Sequence, residues 1–192
     1  MYSSILPHFF STFHLRFKGN NGGDGLVCAR HLSIIDPAYK PVILYPKRGQ
    51  SELFQNLVTQ CKKMESIEFI DEMPSIEELD QSYYVIIDAL FGFSFKPPVR
   101  ASFSNIISSL TSTKTPVASI DIPSGWHVEE GDVNGVGLQP ELLISLTAPK
   151  KCSAHFTGKY HFLGGRFVPM PMQKKYCMNL PEYPGLDLCV KL

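Results

Sequence analysis

The sequence carries no net charge and has no long apolar run. Its 18 lysine and arginine residues balance its 18 aspartate and glutamate residues, so no overall field attracts the chain to nucleic acid or to an anionic membrane. No apolar stretch approaches the roughly 20 residues that a membrane-spanning helix requires. We therefore expect no nucleic-acid partner and no membrane span, and any phosphate must be recognised by a local arrangement of residues.

Paired cysteines, repeats and linkers are also missing. The five cysteines are odd in number, widely spaced and form no C-x-x-C pair, which indicates free thiols in a reducing compartment and argues against a disulfide scaffold. No internal repeat or low-complexity linker divides the 192 residues, of which 44% are hydrophobic. Length and composition thus predict one domain with a single sizeable core.

What the sequence does contain is an alternation of two apolar patterns. Short runs rich in β-branched residues predict buried strands at Pro41–Pro46, Ile67–Ile70, Tyr83–Ala89, Val117–Ile122 and Leu142–Leu146. Apolar residues at helical spacing lie between them, as in Leu53, Leu57, Cys61 and Met64, and in Phe103, Ile106, Ile107 and Leu110. This alternation predicts an α/β protein with a parallel sheet covered on both faces.

The end of the chain follows a different pattern. Beyond Lys151 come Gly164 and Gly165, a strand-like Arg166–Val168 and several prolines. We expect this part of the chain to be a largely irregular segment that wraps around the domain.

A glycine-rich stretch, Gly19–Gly25, precedes an amphipathic helix that we expect to start near Leu26. Glycines let backbone N–H groups approach a phosphate, and a helix N-terminus adds partial positive charge. The spacing is neither G-x-G-x-x-G nor a Walker A loop. The Asn20, Asn21 and Asp24 oxygens suit a hard cation or ribose hydroxyls as well as phosphate. A tight surface turn is the alternative, but it needs fewer such residues.

Asp88 ends the apolar run Val85–Ile87, and Gly92–Lys96 follows it. In an open parallel sheet, ligands bind outside the carboxyl ends of the strands, so this is a place to look for a site. A buried carboxylate must find a partner or serve a site. Capping of the next helix is an equal alternative for Asp88, and a solvated surface position is the alternative for Lys96.

Asp121 lies between two isoleucines and precedes the turn Pro123-Ser124-Gly125. This arrangement places a carboxylate and a hydroxyl at the same edge of the sheet, where a carboxylate suits proton transfer. The alternative is a buried carboxylate that accepts hydrogen bonds only from the amides of its own turn. Sequence leaves both open.

The chain resembles the NAD(P)HX epimerase family, also known as YjeF N-terminal domain proteins and including the apolipoprotein A-I-binding protein of animals. The resemblance rests on GNNGGDGLVCARHL, the FGFSFK after Asp88, SIDIPSGW, LLISLTAPKK and FTGKYHFLGGRFVP. It implies a Rossmann-like three-layer α/β/α sandwich with a mostly parallel central sheet. It also implies a homodimer that interconverts the R and S forms of NADHX or NADPHX, which are hydrated at C6 of the nicotinamide ring.

The resemblance also implies residue roles. The dinucleotide-binding residues would be Asn20, Asn21, Gly22, Gly23 and Asp24, and the other substrate contacts would be Gly92, Phe93, Ser94, Phe95, Lys96 and Asp121. Asn21, Asp88 and Ser124 would bind one potassium ion per subunit. From the chemistry of epimerising a carbinolamine carbon, we expect Asp121 to be the catalytic acid and base, with Lys96 orienting phosphates or aiding proton transfer. The dinucleotide is the substrate, so no redox cofactor is implied.

The first 18 residues depart from the family pattern, which has an apolar strand, a Gly-Pro-Gly turn and preceding helices there. We therefore divide the chain into a divergent segment, residues 1–18, and a YjeF N-terminal-like domain, residues 19–192. The segment contains no acidic residue, which fits a weak targeting sequence, a replaced first strand or an alternatively spliced chain. Expected locations are the mitochondrion or cytoplasm, with secretion a further option by family resemblance. Pro97-Pro98 also replaces a Gly and an acidic residue and removes N–H donors.

Two other functions compete with the epimerase. One is a non-catalytic or catalytically impaired protein that binds apolipoprotein A-I or another partner, which the divergent N-terminal segment favours. Retention of Asn21, Asp88, Asp121 and Ser124 together favours the enzyme. An NAD-dependent oxidoreductase is disfavoured, because no G-x-G-x-x-G opens a βαβ unit with an acidic residue about 20 positions on.

Overall fold

The centre of the molecule is one eight-stranded sheet, seen in a computed structural model that describes residues 10–16, 19–46 and 51–192. The strands are β1 Phe10–Arg16, β2 Tyr39–Leu44, β3 Glu68–Ile70, β4 Val85–Ala89, β5 Val117–Ile120, β6 Leu142–Leu146, β7 Tyr160–Gly164 and β8 Cys189–Lys191. The helices are α1 Asn20–Ile35, α2 Glu52–Lys62, α3 Ile76–Ser82, α4 Ala101–Ser112 and α5 Met170–Lys175, with a 3₁₀ helix at Lys151–His155.

The sheet is mostly parallel, as predicted. Its strand order is β3-β2-β1-β4-β5-β6-β7-β8, and every neighbouring pair is parallel except β7 and β8. The order reverses beside β1, so the chain builds outward from β1 first to one side and then to the other. This reversal creates the topological switch point at which doubly wound folds bind ligands. The predicted Rossmann-like α/β fold is confirmed.

Helices cover both faces of the sheet with separate apolar cores. On one face, Phe103, Ile106, Ile107 and Leu110 of α4 are buried against β1 and β4, as their spacing predicts. On the other face, Leu26 and Ala29 of α1 pack with Ile43 and with Cys61 of α2. Within the described ranges, no helix is both long and apolar enough to cross a bilayer.

β1 occupies the middle of the sheet although its sequence is partly polar. It pairs with β2 and β4, with His14 in register with Ile43 and Ile87. Alternate side chains point to opposite faces, so Phe13 enters the α4 core while Thr12 and His14 are buried on the α1 side. Thr12 Oγ1 lies 2.9 Å from His14 Nε2. The two polar side chains therefore form a hydrogen bond with each other, which leaves only His14 Nδ1 without a partner among the described residues, and the divergent segment supplies the central strand.

The predicted strand at Arg166–Val168 is wrong. Strand β7 ends at Gly164, and Gly165 adopts a positive φ of 77° that turns the chain out of the sheet. The Arg166 guanidinium then donates hydrogen bonds to the carbonyl oxygens of Tyr183 and Gly185, at 3.1 and 2.7 Å. This part of the tail is irregular, and the Arg166 side chain connects it to the segment around Tyr183 and Gly185.

Candidate functional site

A cleft of about 710 Å³ lies at the carboxyl ends of the parallel strands. Its walls come from the start of α1, the segment after β4, the turn after β5 and the segment after β6. The predicted site residues that line it are Asn20, Asn21, Gly22, Asp24, Gly92, Phe93, Ser94, Phe95, Lys96 and Asp121. The structure thus brings the three sequence segments together at one edge of the sheet, as expected from their positions after apolar runs.

The glycine-rich stretch is helical and is not a loop before the helix. Helix α1 begins at Asn20, directly after Gly19, whose φ is 138°. Glycine disfavours a helix by about 1 kcal/mol relative to alanine, so the sequence pointed to a later start near Leu26. Packing favours the earlier start of α1, as Gly23 shows. A Cβ at this position would lie 3.2 Å from the Phe54 ring of α2. Gly23 therefore faces α2 and not the cleft.

Gly25 lets the start of α1 press directly against the sheet. A Cβ at this position would lie 2.7 Å from the Cβ of Ala89 at the end of β4. The close approach fixes the first turn of α1, whose N–H groups have no acceptor within the helix. Its exposed N–H groups and the helix dipole favour an anion at this wall of the cleft.

Asp88 lies beneath the cleft, fully buried, and accepts four hydrogen bonds. One carboxylate oxygen accepts from Leu90 N at 3.2 Å and Ser124 Oγ at 2.6 Å. The other accepts from Ser119 Oγ at 2.8 Å and Ser124 N at 2.9 Å. The helix-capping alternative is wrong for Asp88, because the segment that follows β4 is irregular up to α4. Burial raises the pKa of the Asp88 carboxyl, and these hydrogen bonds oppose the increase.

The three predicted potassium ligands are connected through hydrogen bonds to the Phe91 backbone and to one another at Asp88 and Ser124. Asn21 Nδ2 donates to the Phe91 carbonyl at 2.8 Å, while its buried Oδ1 has no hydrogen-bond partner among the described residues. Ser124 Oγ accepts from Phe91 N at 3.1 Å and donates to Asp88. No cationic side chain of the described ranges balances Asp88. An unsatisfied buried amide oxygen and a buried carboxylate, both connected to Phe91 through hydrogen bonds, fit a hard cation that prefers oxygen ligands.

Asp121 stands at the cleft wall in a left-handed backbone conformation, with a φ of 73°. Its Oδ2 accepts a hydrogen bond of 3.0 Å from Phe93 N, and its Oδ1 forms an ion pair with Lys150. Neither partner belongs to its own Pro-Ser-Gly turn, so the alternative of a carboxylate satisfied by that turn is wrong. The carboxylate instead joins the segment after β4 to the segment after β6.

Lys150 is a cleft residue that the sequence did not single out. Its ammonium pairs with Asp121 and also donates to the Leu146 carbonyl at 2.7 Å. It follows β6 by only four residues, but Thr147, with a φ of 68°, first turns the chain. The only sequence signal was its place in LLISLTAPKK, after a predicted strand, where its neighbour Lys151 looks identical.

Asp24 brings a second carboxylate to the same wall of the cleft. Its pKa is raised to about 6, mainly by desolvation and also by the nearby Asp121 charge, while the Lys150 charge opposes the increase. The cleft therefore holds two interacting carboxylates and one ammonium. Such a group can hold or exchange a proton near neutral pH.

Aromatic side chains form the apolar part of the cleft. The Phe91 and Phe95 rings stack with centroids 4.5 Å apart, and Phe103 meets Phe91 edge-on at 5.4 Å. Lys96 is solvent-exposed at the rim and forms no ion pair with a described residue. Phe167, which the sequence did not indicate, also lines the cleft and is 65% exposed.

The fold and the cleft show the class of protein: it is a Rossmann-like α/β protein whose candidate site lies at the carboxyl edge of a mostly parallel sheet. Residues 17–152 match the family model described as YjeF-related protein N-terminus. The chain therefore belongs to the YjeF N-terminal family, which is related to the NAD(P)HX epimerases.

A solved structure supports this assignment. The chain is similar to the crystal structure of yeast YNL200c, with a TM-score of 0.87 and 38% sequence identity. The similarity covers 96% of this chain and 78% of the yeast chain. It therefore includes the C-terminal segment beyond the residues that the family model matches.

Proposed function

We propose that this protein epimerises NADHX or NADPHX at C6 of the hydrated nicotinamide ring. The observation that carries the proposal is the meeting of an anion-favouring helix N-terminus and the Asp121–Lys150 pair in one cleft. A dinucleotide substrate has both features that this cleft suits: a pyrophosphate and a ring whose chemistry needs a proton donor and acceptor. Membership of the YjeF N-terminal family supports the same proposal.

The proposed phosphate-binding wall consists of the first turn of α1. Backbone N–H groups of Asn20 to Gly22 point along the helix axis with the positive end of the dipole. Lys96, an exposed residue that lines the cleft, would supply an ammonium for a phosphate oxygen. Binding energy from these remote contacts holds the ring in place for the chemical step.

The proposed reaction is loss and return of water. When protonated, Asp121 gives its proton to the C6 hydroxyl, the C6–O bond breaks, and water leaves, after which Lys150 pairs with the Asp121 carboxylate. The lone pair of the ring nitrogen stabilises the cation at C6. Water then adds to the other face, and its proton returns to the carboxylate. The substrate and the carboxyl end in their original protonation states, so the step consumes neither reductant nor oxidant.

We propose Asn21, Asp88 and Ser124 as the ligands of one potassium ion per subunit. The unsatisfied Asn21 Oδ1 and the uncompensated Asp88 support this assignment. A bound cation would supply positive charge that keeps Asp88 ionised and fixes the segment after β4. In this chain, Ser124 Oγ already connects that segment to Asp88, because it accepts a hydrogen bond from Phe91 N and donates one to the Asp88 carboxylate.

The test is a coupled assay with purified R-NADHX and an S-specific dehydratase. We expect folded protein to accelerate loss of the R form above its spontaneous rate. We expect Asp121→Asn to lose about 100-fold or more in kcat, because removing a general acid and base typically costs 10²–10⁴-fold. Asp132→Asn is the matched control, since Asp132 accepts backbone hydrogen bonds in a separate loop. Undiminished epimerisation by Asp121→Asn contradicts the assigned role.

A folded protein that gives no acceleration contradicts the enzyme itself. In that case, the alternative of a non-catalytic binding protein takes its place.

A further inference from the structure

Lys150 is bound at the end of its side chain by two acceptors from different parts of the sheet edge. Its ammonium pairs with Asp121 after β5 and donates to the Leu146 carbonyl at the end of β6. The side chain is only 19% exposed, so water replaces little of what these partners supply. A lysine in this setting has one preferred position, unlike a solvated surface lysine, which samples many rotamers.

The second oxygen of Asp121 is also bound. Phe93 N donates to Oδ2 while Lys150 holds Oδ1. Two contacts on opposite oxygens prevent rotation of the carboxylate about its Cβ–Cγ bond. A carboxylate has about four acceptor positions, so two remain available for substrate and water.

We propose that Lys150 is the positioning residue for Asp121: it fixes the orientation of the carboxylate that transfers the proton, and it does not itself bind the phosphates. This inference rests on the proposed epimerase function. Displacement of a reacting group by about 1 Å costs on the order of 100-fold in rate. Loss of Lys150 should therefore appear in kcat and leave KM nearly unchanged.

Two other roles for Lys150 make different predictions. A phosphate ligand would contribute to binding, so its removal would raise KM. A purely structural ion pair would contribute only to stability, so its removal would lower Tm and leave kcat per folded molecule unchanged. The other charged groups at the cleft, namely Asp24, Lys96 and Arg100, remain in place in every variant below.

The adjacent lysine provides a matched control. Lys151 has the same chain neighbourhood, but it is exposed and pairs with Glu129 at 2.7 Å, away from the cleft. We expect Lys150→Met to reduce kcat about 100-fold with unchanged KM, and Lys151→Met to retain the kcat and KM of the unmodified protein. Lys150→Arg keeps the charge and the donors, so it should recover part of the lost kcat. It also provides a folded variant if Lys150→Met is unstable.

A double-variant cycle separates action through Asp121 from an independent effect. If Lys150 acts only by orienting Asp121, Asp121→Asn with Lys150→Met has the same kcat as Asp121→Asn alone. Multiplied losses in the double variant overturn the proposal, as does a Lys150→Met protein whose defect lies in KM or in Tm alone. Failure of the unmodified protein to epimerise R-NADHX instead refutes the proposed function, so the two failures are distinguishable.

Discussion

His14 is a titratable side chain buried in the central strand. Thr12 is its side-chain partner, bound at Nε2, and its Nδ1 has no hydrogen-bond partner among the described residues. Desolvation lowers its pKa from 6.5 to about 3, and the Gly25 backbone opposes the decrease. The folded protein therefore keeps this imidazole neutral at pH values where the unfolded chain protonates it.

Stability should consequently fall as the pH decreases from about 6.5 toward 3. Between those values the unfolded state binds one more proton than the folded state, so the free energy of unfolding rises with pH. The contribution of His14 to stability is fully present above about pH 6.5. At pH 5.5 the cost is about 1.4 kcal/mol. We expect His14→Leu to remove this part of the loss in urea unfolding between pH 7.5 and 5.5. His31→Gln, at an exposed position, is the control. An unaltered pH slope in His14→Leu would show that His14 is not the group responsible.

At this scale, the sequence predicted which carboxylates lie at the carboxyl edge of the sheet but not their partners. Asp88, Asp121 and Ser124 stood out because polar side chains directly after apolar runs lie at the carboxyl edge of a parallel sheet. Lys150 did not, because its approach to Asp121 depends on the turn at Thr147 and on the neighbouring position of β5 and β6. Such contacts arise from tertiary structure and leave no local pattern.

At the level of elements, the fit of α1 against β4 determines the position of the helix N-terminus. A methyl group at residue 25 would meet another methyl group, that of Ala89, at 2.7 Å. Neither methyl group can move aside, because each is attached directly to the backbone. The helix itself must therefore shift to accommodate the added methyl group.

Gly25→Ala should therefore destabilise the protein by about 1–3 kcal/mol through overpacking, despite a gain of about 1 kcal/mol in helix propensity. Gly25→Ala with Ala89→Gly restores the space, so the double variant should regain most of the loss in chemical denaturation. If Gly25→Ala is as stable as the unmodified protein, or if Ala89→Gly only adds to its loss, the close packing is not what requires glycine here.

The sequence predicted the five strands β2 to β6 to within a few residues because their β-branched runs are local signals. It indicated β1 only as a poor strand, since a central strand is usually apolar and the hydrogen bond between Thr12 and His14 cannot be predicted from spacing. It missed β7 and β8, whose pairing brings together residues far apart in the chain. The predicted start of α1, near Leu26, was also too late, because packing at Gly23 and Gly25 overrides the poor helix propensity of glycine.

At the scale of the whole molecule, the proposed cation connects three separate parts of the sheet edge. Asn21 lies in the first turn of α1, Asp88 is the residue before the end of β4, and Ser124 follows β5. A ligand that binds only the folded state stabilises it by about 2.7 kcal/mol at 100 times its Kd. For a domain of this size, each kcal/mol raises Tm by about 2–4 °C.

We therefore expect KCl to raise Tm more than tetramethylammonium chloride at equal ionic strength. Asp88→Asn should abolish that difference and Ser124→Ala should reduce it, while Asp132→Asn should retain it. Differential scanning fluorimetry measures the effect without reference to catalysis. An equal response to both salts in the unmodified protein argues against a potassium site.

The most direct measurement uses a single purified epimer in ¹⁸O-labelled water. R-NADHX is incubated with the protein, the two epimers are separated, and the mass of each is measured by mass spectrometry. Epimerisation by loss and return of water in this cleft predicts S-NADHX that forms in proportion to protein concentration and carries ¹⁸O at C6, with Asp121→Asn greatly slower. S-NADHX that forms no faster than it does without protein, or that retains its original oxygen, would contradict it.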